Sequence, residues 1–351
     1  MMLIDYRYEF GDDVFFGGMG QVLNCNDLVL ERPVAIKFMP GDVNRRRMND
    51  EISALFKMRS KNVVQVYDVL EFKGEVGIVM EYISGNDLFH IHTAPVSSSE
   101  YIKLLWQIAS GIADIHEVRI IHRDIKPNNM KIDPEGLVKI FDFGLSRDAV
   151  DGAATLGFVG THGFAAPELY GYSVRFTPAI DTYAFGATAL YIGARDLPNE
   201  LTVHPPLPLL LNYFQRLAWP LTQDVAETLL SCLNPDPLLR PAMSYVRDVL
   251  AKHLLQGRHR ALVVYNSKPS FLDASNRSVL LDLPNLGSVE ITYDDFDFVV
   301  TATSGQVFVN NRAVYVGFKL PGACVVALGG TEHGARRRYI TFDLSHPEIV
   351  L

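Results

Sequence analysis

The chain is poor in the features that mark several large classes of protein. It has three cysteines, Cys25, Cys232 and Cys324, far apart in sequence. They form no disulfide framework and no metal-ligand spacing, which predicts a reducing, cytoplasmic setting. No run approaches the roughly 18 consecutive apolar residues of a membrane span, so no membrane partner is expected. The start, "MMLIDYRYEFGDD", lacks a basic flank and a long apolar stretch, and no secretion signal is expected. Positive charge is also short, with 32 Lys and Arg against 40 Asp and Glu and a net charge of −8. That argues against a nucleic-acid partner. Internal repeats and low-complexity tracts are lacking too.

What is present is an ordinary soluble composition, 48% apolar and 21% charged over 351 residues. That length suffices for two or three domains with a well-buried core. Residues 1–80 predict short strands and one helix. "QVLNCNDLVLERPVAIKFM" runs apolar around a turn expected at Asn24–Asp27, and "RRMNDEISALFKM" has helical spacing. "VVQVYDVLEFKGEVGIVMEY" predicts two strands about a Lys73-Gly74 turn. Residues 85–256 predict mostly helix. In "SSSEYIKLLWQIASGIADIHE", Ser98 or Ser99 is the expected cap, and Ile102, Leu105, Ile108, Ile112 and Ile115 form the apolar stripe. Residues 257–351 change character to β-rich runs such as "ALVVY", "SVLLDL", "CVVAL" and "YITFDL", broken by Gly, Pro, Asn and Asp. This predicts a separate all-β domain.

Several segments carry chemistry. "FFGGMGQV", Phe15 to Val22, joins two predicted strands. Its glycines let backbone N–H groups approach a phosphate, although alone it reads more readily as a glycine-rich hairpin. "VAIK" ends a β-branched run on Lys37, where a buried ammonium needs an anion; the bland reading is a snorkelling surface lysine. Glu51, on the predicted helix, is a candidate partner. "IIHRDIKPNNM" places Asp124, Lys126 and Asn129 in one short segment, and "VKIFDFGLSRD" follows with Asp142 at a strand end. This order suits phosphoryl transfer. One carboxylate orients a hydroxyl and accepts its proton, a lysine steadies the phosphoryl group, and an amide and a second carboxylate hold the metal.

In combination these motifs resemble the Ser/Thr protein kinases, and the "GGMG" loop resembles the bacterial eukaryotic-like kinases. The resemblance covers roughly residues 8–255 and implies a two-lobed α+β kinase fold, an N-lobe of about 1–80 and a C-lobe of about 85–256, with ATP and Mg²⁺ or Mn²⁺ between them. It implies that Gly17, Gly18 and Gly20 cover the phosphates and that Val22 and Ala35 flank the nucleotide. Lys37 would contact the α- and β-phosphates and pair with Glu51. Met80 would be the gatekeeper, with Glu81 and Ile83 offering backbone hydrogen bonds to adenine and Asp87 a ribose contact. Asp124 would be the catalytic base, Lys126 the phosphoryl contact, and Asn129 and Asp142 the metal ligands. Arg123 would meet a phosphate on the activation segment, for which Thr155 is the expected autophosphorylation site. Thr161 is expected to bond Asp124 and Lys126. "GTHGFAAPE" resembles the end of that segment, implying a Glu168–Arg240 pair and an Asp181 that braces the catalytic loop. Lys126 and Thr161 point to Ser/Thr-bearing protein substrates.

One departure is visible, because Phe15 stands where the pattern has its first glycine. The alternative to an active kinase is a pseudokinase scaffold that binds nucleotide or partners without transfer. The residues from about 257 resemble a forkhead-associated β-sandwich through "SGQVFVNNRAVYVGFKLPGACVVALG", with an unrelated β-sandwich as the other reading. The Gly-Arg and Ser-x-x-His that grip phosphothreonine in that family are not found here. The expected partner of this region is therefore a protein surface, either a phosphoprotein or the chain's own kinase domain. His90, His92 and His116 show no ligand spacing and are expected on helices or the surface.

Overall fold

Val34, Ile36 and Phe38 alternate along an eight-residue run and are buried, and that alternation places one face of the first sheet against a core. The sheet holds β1 (Met2–Ile4), β2 (Tyr8–Gly17), β3 (Gly20–Asp27), β4 (Arg32–Met39), β5 (Val66–Phe72) and β6 (Glu75–Glu81), in the antiparallel order β1-β2-β3-β4-β6-β5. A computed structural model describes residues 2–17, 20–39, 52–53, 55–90, 95–142, 161–171, 176–265 and 268–345. By contacts the chain separates into two units, Met1–Leu250 and Ala251–Leu351.

In the first unit the turn expected at Asn24–Asp27 falls later, because β3 runs through Asp27. Asp27 then organises the turn. Its carboxylate accepts from the backbone N–H groups of Val29 and Leu30 and from the Arg7 guanidinium. The Arg7 hydrogen bond outweighs burial and holds the Asp27 carboxyl down at about 2. Residues 52–53 and 55–57 are helical.

Helix α1 (Ser98–Glu117) buries the expected isoleucine and leucine stripe. Its cap is Ser97 rather than Ser98 or Ser99. Only Ser97 has a glutamate three residues on, so its side chain accepts from Glu100 N while the Glu100 carboxylate reaches back to Val96 N. A hairpin of β7 (Met130–Ile132) and β8 (Val138–Ile140) lies beside α1. Gly111 is required there, since a Cβ would stand 2.8 Å from Ile140 Cδ1 and 2.9 Å from Asn62 O. Then come α2 (Ala179–Ala194), α3 (Asn199–Thr202), α4 (Gln223–Cys232) and α5 (Met243–Leu255). Helix α2 is apolar nearly all round and correspondingly buried.

Residues 62–64 are bonded to β8 rather than to the sheet that follows them. Ile140 N donates to Asn62 O, Val64 N donates to Ile140 O, and Asn62 Nδ2 donates to Val138 O. Gln65, the next residue, turns to β6, where its carbonyl accepts from Glu81 N.

The second unit is built of antiparallel strands. One sheet has the order β10-β9-β17-β16-β14-β15, from β9 (Ala261–Tyr265), β10 (Lys268–Leu272), β14 (Val307–Val309), β15 (Arg312–Ala313), β16 (Cys324–Leu328) and β17 (Arg338–Leu344). The other is β11 (Ser278–Leu283), β12 (Gly287–Tyr293) and β13 (Phe298–Gly305). Val263, Val326, Ile340 and Phe342 from the first sheet share a core with Val289, Ile291, Tyr293 and Phe298 from the second. Strand β10, "KPSFL", was not among the expected strands. It is an edge strand, where a proline costs no ladder bond.

Candidate active site

Of the charged residues that the motifs single out, Lys37, Glu81, Lys126 and Asp142 line one cleft of the first unit; Asp124 does not line it but is bonded to Lys126 and Asn129, which do. Asp124 is buried at 4% exposure, a position that needs compensating donors. Asn129 Nδ2 donates to its carbonyl at 2.8 Å and to Oδ2 at 2.9 Å. Lys126 Nζ reaches Oδ2 at 2.9 Å and Thr161 Oγ1 at 2.9 Å, and Thr161 Oγ1 donates to Asp124 Oδ1 at 3.1 Å. Three donors thus fix the carboxylate, and Thr161 joins a segment distant in sequence to the loop that carries Asp124.

A second carboxylate holds that loop from behind. Asp181, in the first turn of α2, accepts from His122 N and Arg123 N at 2.8 Å each and lies 2.9 Å from His116 Nε2. Asp181 is 1% exposed, so these donors compensate a buried charge. His116, expected on a helix without a role, is a member of this group. His122 is fully buried and its pKa is lowered by desolvation. Its ring accepts from Asp124 N through Nδ1 and donates through Nε2 to Phe141 O at 3.0 Å. A neutral imidazole with its proton on Nε2 meets both demands.

Arg123 and Asp142 both take left-handed backbone angles, with φ of 68° and 65°. Non-glycine residues pay for such angles, which the surrounding bonds hold in place. Asp142 faces Lys37 on β4, and the two form a direct ion pair. Asn129 is buried and Asp142 partly so. Glu168 receives Arg240 in a two-pronged pair at 2.6 and 2.8 Å, and Arg240 also donates to the carbonyls of Ala179, Asn234 and Pro235.

Beneath the first sheet lies a cavity of about 600 Å³, lined by Val22, Ala35, Lys37, Met80, Glu81, Ile83, Lys126, Asn129 and Asp142 among the expected residues. Asn24, Val64, Tyr82, Asn128, Lys131 and Phe141 line it as well and were not singled out in the sequence. Asp87 does not line it; its carboxylate accepts from His90 N and meets His90 Nδ1 at 2.8 Å. Gly17 and Gly20 face each other as the last pair of the β2–β3 ladder. Gly18, Glu51 and Thr155 lie outside the described residues.

An aspartate carboxylate and an asparagine amide are hard oxygen donors, the set that suits Mg²⁺ or Mn²⁺. The amide nitrogen of Asn129 is spent on Asp124, which leaves its oxygen for an ion, so these residues fit the metal. Among the described residues no helix is long and apolar enough to cross a membrane.

Residues 8–252 match the protein kinase domain family. A probable serine/threonine-protein kinase of Bifidobacterium longum is 33% identical over 67% of this chain and 31% of its own length. One of Corynebacterium efficiens is 30% identical over 68% of this chain and 38% of its own. A CBL-interacting serine/threonine-protein kinase of Arabidopsis thaliana is 30% identical over 67% of this chain and 54% of its own. The chain thus spans about a third to a half of the length of these curated relatives.

Proposed function

The chain belongs to the protein kinase family, with kinases of the serine/threonine type among its relatives, and on that premise we propose that it transfers the γ-phosphoryl group of ATP to Ser or Thr hydroxyls of proteins. The observation that carries this reading is the convergence of Lys126, Asn129 and Thr161 on the Asp124 carboxylate, with Lys126 and Asn129 lining the same cavity as the Lys37–Asp142 pair.

The roles follow from position and chemistry. Asp124 accepts the proton of the substrate hydroxyl as it attacks, and Lys126 balances the charge on the moving phosphoryl group. Lys37 exchanges its contact with Asp142 for the α- and β-phosphates, with Glu51 as its partner. Gly17, Gly18 and Gly20 close over the phosphates, Val22, Ala35 and Met80 wall the base, and Glu81 and Ile83 bond its edge through the backbone. Asp142 and Asn129 hold Mg²⁺ or Mn²⁺, which when bound neutralises phosphate charge. Thr155 is the autophosphorylation site, and Arg123 donates to its phosphate. The region from 257 acts as a forkhead-associated-like sandwich that makes protein contacts. The unpaired cysteines suit a cytoplasmic setting.

Purified protein supplied with ATP, Mg²⁺ and a general Ser/Thr protein substrate tests the reading, with sites mapped by mass spectrometry. Transfer by the wild type and a phosphate on Thr155 are expected. Asp124→Asn should still bind ATP but turn over about 10²–10⁴-fold more slowly, the usual worth of a positioned base. A wild type that binds ATP without transfer marks a pseudokinase instead. Wild-type turnover by Asp124→Asn overturns the role given to Asp124, and a site map without Thr155 overturns that assignment alone.

A further inference from the structure

The stretch that follows α3, "VHPPLPLLL", is a surface loop with almost no polar side chain. It holds no lysine, arginine, aspartate or glutamate. Val203, Leu207, Leu210 and Leu211 are all exposed, Leu210 at 84%. The loop is pinned in this state. Pro206 is buried, Leu207 N donates to Glu200 O at 2.8 Å, and the Glu200 carboxylate accepts from Tyr213 Oη at 3.0 Å just past the loop's end. A run of aliphatic side chains held outward marks a contact surface. The loop also begins beside the residues that surround Asp124. The His204 ring lies 4.1 Å from the His162 ring, and Tyr170 Oη lies 3.3 Å from His204 Nδ1. His162 directly follows Thr161, whose hydroxyl is bonded to Asp124 and Lys126.

We infer that residues 203–211 form a substrate-docking surface that selects proteins carrying aliphatic side chains close to the acceptor hydroxyl. The inference rests on reading the first unit as a protein kinase. A Ser or Thr presented to Asp124 brings the residues on one side of it past His162 and His204 and onto the loop, since an extended chain advances about 3.3 Å per residue. Leucine, isoleucine or valine there removes apolar surface from water on both partners. A charged side chain would lose its water and meet no opposite charge from a lysine, arginine, aspartate or glutamate of the loop. Pro205, Pro206 and Pro208 restrict the backbone before anything binds, so little ordering entropy opposes the contact. The continuity with Thr161 assigns the surface to a substrate rather than to a second copy of the chain.

Peptides with a mixed Ser/Thr acceptor in an alanine and glycine background, and with leucine, aspartate or lysine placed at each flanking position in turn, test this with the full chain, ATP and Mg²⁺. Leucine at one or more positions should raise kcat/KM about tenfold over alanine, the scale of one apolar group in a pocket, and aspartate or lysine there should lower it. Leu207→Asp and Leu210→Asp alter exposed side chains, and a thermal melt shows that each is folded. Both should lose the leucine preference, chiefly through KM, and turn over the alanine peptide at the wild-type rate. No gain from leucine at any position, or variants that keep the gain, overturns the inference and leaves the kinase reading intact if a general protein substrate is still phosphorylated. A dimer in light scattering that these variants split, with the peptide preference unchanged, also overturns it and gives the surface to a second copy. A wild type that phosphorylates neither the peptides nor the protein substrate overturns the kinase reading, and this inference with it.

Discussion

The two units of the chain treat charge in opposite ways. In the first, Asp27, Lys37, Asp124, Asp181 and Arg240 are all buried. In the second, no charged side chain is buried among the described residues, and its ion pairs, such as Arg277–Asp295 and Lys319–Asp297, lie at exposed positions. Burying a charge costs several kcal/mol unless partners compensate it, and apolar groups of the same size often do as well for stability. A fold that needs only to hold together can dispense with such groups, as the second unit does with its valines, isoleucines and aromatics. The first unit retains several, and two of them mark its cleft: Lys37 lines it and Asp124 is bonded to Lys126 and Asn129 of its lining, which is where chemistry is expected.

The strongest test of this contrast is to delete one buried charge. Arg240 has no exposed side-chain surface, and Arg240→Ala would strand Glu168 and three carbonyls. Unfolding of the first unit, followed by the fluorescence of Trp106 and Trp219, should lose about 3–5 kcal/mol. A loss below about 1 kcal/mol, the range of an exposed pair, would break the comparison.

Acid provides a smaller and subtler test of the second unit. His259 packs against Phe298 at 4.9 Å, its Nδ1 lies 2.8 Å from Ser345 Oγ, and burial lowers its pKa. A histidine held neutral in the fold stabilises it fully above the unfolded value of about 6.5. That contribution is lost as pH falls from there through the lower folded value, since the unfolded chain takes up the proton first. Amide protection factors in β9 and β17, with the intrinsic exchange rate divided out, should therefore fall as pH drops below about 6.5. The non-titrating His259→Gln should flatten that dependence, and an equally steep dependence would rule His259 out as its source.

The smallest expected effect is none at all. A phosphothreonine peptide and its unphosphorylated twin should bind the full chain alike, since the second unit buries no cation among its described residues that could grip a phosphate. Tenfold tighter binding of the phosphopeptide, about 1.4 kcal/mol, would show a built anion site there.

The cleft was legible in the sequence to the extent that its chemistry is local. Asp124, Lys126 and Asn129 share one loop, so their spacing carries their geometry. Lys131 lies two residues beyond Asn129 and shows nothing in the sequence, because its place in the cleft comes with a bond to the carbonyl of Ile83, far away along the chain. His116 was passed over for the same reason, as its partner Asp181 is distant. The alternation of apolar residues announced the strands but not where they stop. The end of β3 depends on how Asp27 binds Arg7 and the turn, and the start of α1 depends on which serine precedes Glu100 by three residues.

The attachment of residues 62–64 to β8 gives the kinase unit a spine like that of a book. Asn62 and Val64 are bonded to β8, and Gln65 to β6 of the first sheet. The second crossing runs through residues 82–85, where Gly85 takes a φ of 90°. Glu81 sits between the two crossings, bonded to Gln65 N on one side and Lys139 on the other. Among the described residues, a swing of one cover on the other would bend the chain at Val64–Gln65 and at 82–85, because sliding would break the bonds to Ile140 together. Points near the spine, such as Met80 and Val64, then move little, while Lys37 and the Gly17–Gly20 turn sweep wider arcs. The base end of the cavity keeps its shape during such a swing, and the phosphate end opens and closes.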